Sequence, residues 1–312
     1  MLGSCGTYGL ACMDVAENND KIVALTADLC YFSGLDRFSK TYPNKFINVG
    51  IAEQNMLGIA AGLSKEGFNV FASTYASFAT TRSLDQVKVN MSYMQLPIKL
   101  VGLTSGFSVG ILGATHISIE DLAIMRSLPN IMVLSPADCL ETYKCIMAAA
   151  NTNMPVYIRL TGTMNNPIVY NEDYEFKIGK AKFLKEDGKV AIIATGTMVY
   201  RAKKVVEQLE DEGVHCKLIN MHTIKPLDLD LINDLQNESE IIITIEEHSK
   251  IGGLGSAIAE VLSNRPRTRL VIIGVEDFYP LAGDYNYQCD ISGLTEKTLY
   301  NRIRKEIDNG KY

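Results

Sequence analysis

Two short stretches carry residues whose types could do acid–base chemistry. Glu53 follows the turn Gly50-Ile51-Ala52, and the pattern predicts that it lies in the first turn of a helix. A glycine-rich run begins at Thr104 and ends at His116, the first histidine of the chain. A carboxyl and an imidazole can each exchange a proton with a reacting group. Either residue could also be structural, because the helix dipole alone favours an acid in a first turn.

Further candidates lie near these two stretches. Tyr75 and Phe78 are three residues apart, so one helical face could present both rings. Asp28 follows the first predicted strand, where it could be a ligand or a plain turn acid. Gly58 and Gly62 lie four apart behind Glu53 in the same predicted helix. Because glycine is a poor helix former, this pair predicts a neighbour packed very close to the helix.

The elements that must position these residues alternate between strand and helix. Runs of apolar residues separated by helical patterns predict parallel sheets covered on both faces. In the first half the predicted strands are residues 22–27, 46–49, 98–103, 131–134 and 156–160, and the helices are 7–18, 52–65, 78–94, 119–127 and 137–150. In the second half the strands are 190–195, 216–220, 241–245 and 270–275, and the helices are 198–212, 228–235, 254–263 and 295–307.

The fold class predicted from this order is α/β, with two three-layer domains that each contain a parallel sheet. The first domain covers residues 1–165, a polar linker covers 166–187, and the second domain covers 188–312. Such sheets bind ligands beyond the carboxyl ends of their strands. The turn at Asp28, the turn before Glu53 and the glycine-rich run should therefore lie at one edge of the first sheet.

Net charge, cysteine spacing and hydropathy argue against several classes of protein. A net charge of −6 over 312 residues argues against a general nucleic-acid binder. The seven cysteines form no CxxC pair, so we expect neither a disulfide framework nor a zinc site. We see no secretory signal and no apolar run near the roughly 20 residues that a membrane helix needs. A cytoplasmic protein without membrane contact is the expectation.

Eight phrases resemble the transketolase family, in the family's order and across nearly the whole chain. In the pyrimidine-binding domain they are Ala-Asp-Leu at 27–29, Gly-Ile-Ala-Glu-Gln-Asn-Met at 50–56, Ser-Thr-Tyr-Ala-Ser-Phe at 73–78, Gly-Ala-Thr-His at 113–116 and Arg-Ser-Leu-Pro-Asn at 126–130. In the C-terminal domain they are Thr-Ile-Lys-Pro-Leu-Asp at 223–228, Glu-Glu-His at 246–248 and Gly-Gly-Leu-Gly-Ser-Ala at 252–257.

This resemblance implies a thiamine diphosphate enzyme, in which the cofactor carries the carbanion chemistry. It implies that Glu53 hydrogen-bonds N1′ of the aminopyrimidine ring, which helps the exocyclic nitrogen to remove the C2 proton. It implies that Tyr75 and Phe78 pack around that ring and that Asp28 lies near the cofactor. His116 matches a histidine that faces the substrate. The expected reaction moves a two-carbon ketol unit from a ketose-type donor to an aldehyde acceptor.

Four positions depart from the pattern of enzymes that act on sugar phosphates. Where those enzymes carry polar substrate ligands, this chain has Cys5, Thr104, Leu112 and Gly162. Arg159, close to Gly162, could replace one of them. Because bidentate arginine contacts to phosphate are strong, their loss predicts a substrate other than an ordinary pentose phosphate, or a phosphate held elsewhere.

The family's Gly-Asp-Gly sequence, which holds the diphosphate and magnesium, is absent from this sequence. The chain therefore resembles the C-terminal half of a transketolase made as a separate subunit. We expect an N-terminal-half partner that holds most of the Mg²⁺ site, a two-plus-two heterotetramer, and no metal ligand on this chain.

Other functions stay open. A 2-oxoacid dehydrogenase β subunit shares the Glu-bearing helix, and a deoxyxylulose phosphate synthase-like enzyme would start from pyruvate. A non-catalytic scaffold subunit would explain the missing phosphate ligands.

Overall fold

The computed structural model describes residues 3–162, 166–264 and 266–309. The predicted end of the first domain at residue 165 and the chain ends at residues 1 and 312 lie outside these ranges. The described chain forms two mostly parallel sheets with helices on both sides, so the predicted fold class is confirmed.

The first sheet has seven strands in the order β10-β5-β6-β4-β3-β1-β2. Every pairing in it is parallel except that of β10 with β5. Its strands are β1 Ile22–Thr26, β2 Phe46–Asn48, β3 Asn69–Tyr75, β4 Lys99–Ser105, β5 Met132–Leu134, β6 Val156–Thr161 and β10 Thr223–Lys225. Because β10 follows the linker, the second half of the chain adds a strand to the first sheet.

The second sheet has five strands in the order β12-β11-β8-β9-β7, with β7 antiparallel to β9. Its strands are β7 Lys182–Lys185, β8 Val190–Ala194, β9 Cys216–Asn220, β11 Ile241–Ser249 and β12 Arg269–Val275. The last residues of the predicted linker thus form an edge strand of this sheet.

Helices cover both faces of each sheet. Their bounds are α1 Gly3–Asn18, α2 Asp36–Thr41, α3 Glu53–Lys65, α4 Leu84–Gln86, α5 Asp121–Ser127, α6 Cys139–Ala150, α7 Met198–Asp211, α8 Leu229–Glu238, α9 Leu254–Leu262, α10 Tyr285–Ile291 and α11 Glu296–Asn309. Successive residues of β1 point to opposite cores, since Val23 belongs to the core that contains Met56 of α3 and Ala24 to the core that contains Tyr8 of α1. A buried strand with apolar residues on both faces is the pattern that predicted the parallel sheet.

Helices α2 and α10 were not predicted, and α1 begins four residues earlier than predicted. Two further differences lie close to the predicted site residues. The single helix expected over residues 78–94 is a π-helix at Phe78–Arg82, the short α4, and a second π-helix at Val87–Tyr93. Strand β3, which lies between β4 and β1 in the first sheet, was not predicted because Ser73 and Thr74 interrupt its apolar pattern. Ser73 is buried there because its hydroxyl donates to the Leu25 carbonyl at 3.2 Å.

All seven cysteines are free thiols. None of the helices in the described ranges combines the length and the apolar character that crossing a membrane requires.

Candidate active site

The turn between β2 and α3 brings Glu53 into the protein interior. Gly50 has a φ of +73°, a conformation that glycine adopts without strain. The Asn48 side-chain oxygen accepts hydrogen bonds from the N–H groups of Asp28 and Gly50, both at 3.0 Å. Asn48 therefore ties the turn after β1 to the turn before α3. Glu53 is the first residue of α3 and only 3% exposed.

One oxygen of the Glu53 carboxylate is held by an arginine. Arg82 Nη1 donates to Glu53 Oε1 at 2.9 Å, and the Arg82 guanidinium carbon lies 3.9 Å from the centre of the Phe78 ring. Glu53 Oε2 accepts no hydrogen bond from any residue that the structure describes. One oxygen of a largely buried carboxylate is thus left for a ligand.

Three rings of the predicted site form one cluster. The ring centres of Phe78 and His116 are 5.1 Å apart, those of Tyr75 and His116 are 5.8 Å apart, and those of Tyr75 and Phe78 are 5.9 Å apart. The expectation that a single helical face presents Tyr75 and Phe78 was wrong. Tyr75 ends β3 and Phe78 begins the π-helix, so a strand-to-helix junction presents them.

The structure therefore joins four of the five predicted site residues, because Arg82 links Glu53 to the ring cluster. Asp28 lies at the turn that Asn48 holds, and its side chain accepts from Asn48 Nδ2 at 3.3 Å. Asp28 has a φ of +59°, which is uncommon for a non-glycine residue.

The second domain supports the loop that carries His116. Glu247 is buried, and its Oε1 accepts from the Phe107 N–H at 2.7 Å. Its Oε2 accepts from Thr197 Oγ1 at 2.7 Å and from the Tyr285 hydroxyl at 2.5 Å. Further along the loop, Gly110 accepts from the Gly283 N–H at 3.2 Å. The position of His116 thus depends on both domains.

Arg159 is not available as a replacement phosphate ligand. It is 1% exposed, its Nε donates to Asp121 at 2.8 Å, and its Nη2 donates to the Glu247 carbonyl at 2.8 Å. At Gly162 a side chain is excluded, because a Cβ would lie 2.1 Å from the Asn166 side-chain oxygen. The replacement ligand that the sequence left open at this end of β6, Arg159, is therefore not available for phosphate binding.

Thr104 and Cys5 come together at the other end of the glycine-rich run. Thr104 has a φ of +51°, and its buried hydroxyl has no hydrogen-bond partner among the described residues. Burial raises the pKa of the Cys5 thiol to about 11, so Cys5 is a neutral group here. Strained backbone and an unpaired buried hydroxyl are features that cluster at binding sites.

The remaining histidines are not part of this cluster. Burial lowers the pKa of His222 and of His248 to about 4, so both are neutral at physiological pH. His248 Nε2 accepts from the Ala123 N–H at 3.3 Å, which is another contact between the two halves of the chain.

These residues fit the pyrimidine end of thiamine diphosphate better than its diphosphate end. A flat aromatic ring with a nitrogen needs a carboxyl partner and aromatic neighbours, and Glu53 Oε2 and the three rings supply both. Across residues 3–162, 166–264 and 266–309, no three His, Cys, Asp or Glu side chains are grouped so that they could hold a metal ion.

The face of α3 that carries Gly58 and Gly62 is open. Both glycines are exposed, and no described atom outside the helix backbone lies within 4 Å of the place where a Cβ would be. The close neighbour that this glycine pair predicts is therefore not part of the described chain.

Sequence reasoning missed three residues that hold the site together, Arg82, Asn48 and Glu247. Arg82 follows Phe78 by four residues, which is one helical turn, and Asn48 directly precedes the turn that carries Glu53. These spacings were a usable signal. Glu247 belongs to the Glu-Glu-His phrase at 246–248, but nothing in that phrase indicates its bond to Phe107, which is 140 residues away.

Comparisons with known proteins match both halves of the chain. The family "Transketolase, pyrimidine binding domain" matches residues 6–165, and "Transketolase, C-terminal domain" matches residues 179–298. The chain is 38% identical to the 6-deoxy-6-sulfo-D-fructose transketolase subunit SqwH of Clostridium sp. (strain MSTE9), over 98% of this chain and 94% of that protein. It is 39% identical to an apulose-4-phosphate transketolase subunit of Phocaeicola vulgatus, over 92% and 93% of the two chains.

A solved structure is also similar over its whole length. A split-gene transketolase described as an inactive β4 tetramer has a TM-score of 0.86 and 37% identity, with 97% of each chain covered.

Proposed function

This chain belongs to the transketolase family, and we propose that it is the C-terminal-half subunit of a thiamine diphosphate-dependent enzyme. The proposed reaction transfers a two-carbon ketol unit from a ketose-type donor to an aldehyde acceptor. The observation that carries the proposal is the buried side chain of Glu53, which has one oxygen held by Arg82 and the other without a hydrogen-bond donor among the described residues, while Arg82 also contacts the Phe78 ring.

In this proposal, bound thiamine diphosphate supplies the carbanion chemistry. Glu53 Oε2 accepts a hydrogen bond from, or shares a proton with, N1′ of the pyrimidine ring. Phe78 and Tyr75 pack against that ring and exclude water from it, and Asp28 lies near the cofactor. The His116 imidazole, which is half-buried at the end of the glycine-rich loop, exchanges protons or hydrogen bonds with substrate oxygens.

We propose that the diphosphate and most of the Mg²⁺ site lie on an N-terminal-half partner subunit. The open glycine face of α3 supports this, because a close neighbour is missing from the described chain. Two relatives are named as transketolase subunits, and the solved split-gene transketolase is described as an inactive β4 tetramer. A two-plus-two heterotetramer is the proposed assembly.

The proposed substrate is a sugar or an aldehyde that is not an ordinary pentose phosphate, or one whose phosphate is held elsewhere. Ile111 and Leu112, in the glycine-rich loop that ends at His116, expose apolar side chains, at 73% and 49% exposure. Arg159 is fully engaged and Gly162 carries no side chain. These features argue against a phosphate grip by this chain.

The domain limits of 1–165, 166–187 and 188–312 and a cytoplasmic location also remain proposals. The seven free thiols support a reducing compartment.

The test is calorimetry with thiamine diphosphate and Mg²⁺, first with this chain alone and then with the N-terminal-half subunit. We expect no binding by the single chain and tight binding by the pair. In the pair, Glu53→Gln should reduce ketol transfer by a factor of about 100 or more, the usual contribution of a general acid–base group. Full activity of Glu53→Gln would leave a scaffold role, and carbon dioxide release from pyruvate would favour a dehydrogenase or synthase reaction.

A further inference from the structure

Arg82 connects the two parts of the candidate site. Its Nη1 donates to Glu53 Oε1 at 2.9 Å, and its guanidinium carbon is 3.9 Å from the centre of the Phe78 ring. Its backbone carbonyl accepts from Gln54 Nε2 at 3.2 Å, which adds a second link to α3. One residue therefore contacts the carboxylate that would face N1′ and the ring that would pack against the pyrimidine.

The two carboxylate oxygens of Glu53 differ in their hydrogen-bond partners. Oε1 receives the charge-assisted bond from Arg82, while Oε2 accepts no hydrogen bond within the described ranges. The Glu53 side chain is 4% exposed, so water competes little with Arg82 for hydrogen bonds to the carboxylate. The last torsion of a glutamate side chain is broad, and a single strong bond to one oxygen therefore fixes where the other oxygen points.

We propose that Arg82 is a positioning residue for the cofactor's pyrimidine ring. By holding Oε1, it directs Oε2 of Glu53 towards N1′, and by lying against Phe78 it fixes the ring that packs on the pyrimidine. This inference rests on the proposed function, since it concerns the same site. It adds a residue that acts through Glu53 and Phe78 and not through direct contact with the reacting atoms.

The chemistry of arginine suits this role. Its guanidinium is flat, so it can hydrogen-bond a carboxylate at its edge and stack on an aromatic ring with its face. A lysine can keep the charge but not the flat stacking contact. Because the Arg82 side chain is 44% exposed, solvent weakens the ion pair, and a moderate effect on binding is expected.

The experiment measures cofactor dissociation constants by calorimetry in the complex with the N-terminal-half subunit. It compares the wild type, Arg82→Met, Arg82→Lys and Glu53→Gln. Arg37→Met is the matched control, because Arg37 is an exposed arginine of α2 and the change removes the same charge. Each protein is titrated with thiamine diphosphate and with an analogue that has C–H in place of N1′, both with Mg²⁺.

For thiamine diphosphate, Arg82→Met should weaken binding about tenfold, Arg82→Lys by less, and Arg37→Met not at all. For the analogue, Arg82→Met should change binding by less than about twofold, because Oε2 has no N1′ to face. Thermal unfolding of each complex checks that the variants fold.

Equal losses for both compounds would overturn the inference, since they would show a general packing role. Unchanged or tighter thiamine diphosphate binding by Arg82→Met would overturn it as well. If the wild-type complex binds neither compound, or if Glu53→Gln binds both as the wild type does, the proposed function itself fails.

Discussion

Two glycine-rich regions flank the candidate site, and they differ in what lies against them. In the loop before His116, a Cβ at Gly106 would lie 2.1 Å from Glu247 Oε1, and one at Gly110 would lie 2.7 Å from the Gln288 side chain. In α3, a Cβ at Gly58 or Gly62 would meet no described atom beyond the helix backbone. The loop before His116 is packed against the second domain, whereas the glycine face of α3 has no neighbour among the described residues.

The difference shows that glycine spacing predicts close approach but not the source of the neighbour. For the loop, the neighbour is 140 residues away in the same chain, at Glu247. For α3, the same reasoning points to another chain, in line with the proposed partner subunit. The loop that carries His116 is thus packed within this chain, whereas the glycine face of α3 would, in the proposed assembly, be covered by the partner subunit.

The largest expected change in the free energy of unfolding comes from adding a side chain in the packed loop before His116. Gly106→Ala should lower the free energy of unfolding by about 4 kcal/mol, because Gly106 has a φ of +65° and the new methyl group would overlap Glu247. Glu247 cannot move aside without breaking its bonds to Phe107, Thr197 and Tyr285. Chemical denaturation of the free chain measures the loss.

The matched control is Gly213→Ala, since Gly213 has a φ of +80° but no described atom within 4 Å of its Cβ position. It should cost only about 1–2 kcal/mol, the price of the backbone conformation. Equal losses for the two variants would mean that the contact with Glu247 contributes nothing beyond backbone strain.

A second effect concerns the glutamate that precedes Glu247. Burial raises the pKa of Glu246 to about 7, although its carboxylate accepts from the Leu254 and Gly255 N–H groups at the start of α9. Between pH 4.5 and 7 the folded state keeps a proton that the unfolded chain has released, so this stabilisation is complete at low pH and is lost as the pH rises.

The free energy of unfolding of the wild type, relative to that of Glu246→Gln, should therefore fall by about 2–3 kcal/mol between pH 5 and pH 8. The comparison with the glutamine variant matters because His248, at 3.7 Å from Glu246, has a lowered pKa and shifts stability in the opposite direction. Denaturation curves at both pH values give the difference, and a constant offset between the two proteins would contradict this assignment.

The same comparison explains what the sequence could predict. Apolar runs such as β1 and the motif around Glu53 carry their information locally, so the parallel sheets and the candidate residues were predictable. Strand β3 was not, because Ser73 is compatible with burial only through a bond to Leu25 of another strand. The addition of β10 to the first sheet likewise depends on pairing with β5, about 90 residues earlier in the chain.

In the candidate site, too, local phrases were predictable from the sequence and contacts between distant residues were not. Glu53, Phe78 and His116 were predicted from short phrases, and the structure brings Phe78 and His116 together at 5.1 Å. The engagement of Arg159 with Asp121 and the exclusion of a side chain at Gly162 by Asn166 could not be predicted, because each depends on three-dimensional packing. The cover that the glycine pair of α3 predicts would, in the proposed assembly, come from the partner subunit, so no signal for it lies elsewhere in this sequence.

The smallest expected effect addresses that face directly. Gly62→Ala should raise the free energy of unfolding of the isolated chain by about 0.5–1 kcal/mol, because alanine is the better helix former and the added methyl group meets open space. The opposite outcome is expected for Gly255→Ala in α9, where the methyl group would lie 2.4 Å from the Ile272 side chain.

If the α3 face packs closely against the partner subunit, Gly62→Ala should also weaken that assembly, although it stabilises the free chain. Denaturation of the free chain and calorimetric titration with the partner separate the two effects. If Gly62→Ala gains stability and still assembles as tightly as the wild type, the partner does not pack against the glycine face of α3. The bare glycines of α3 would then have no role in assembly.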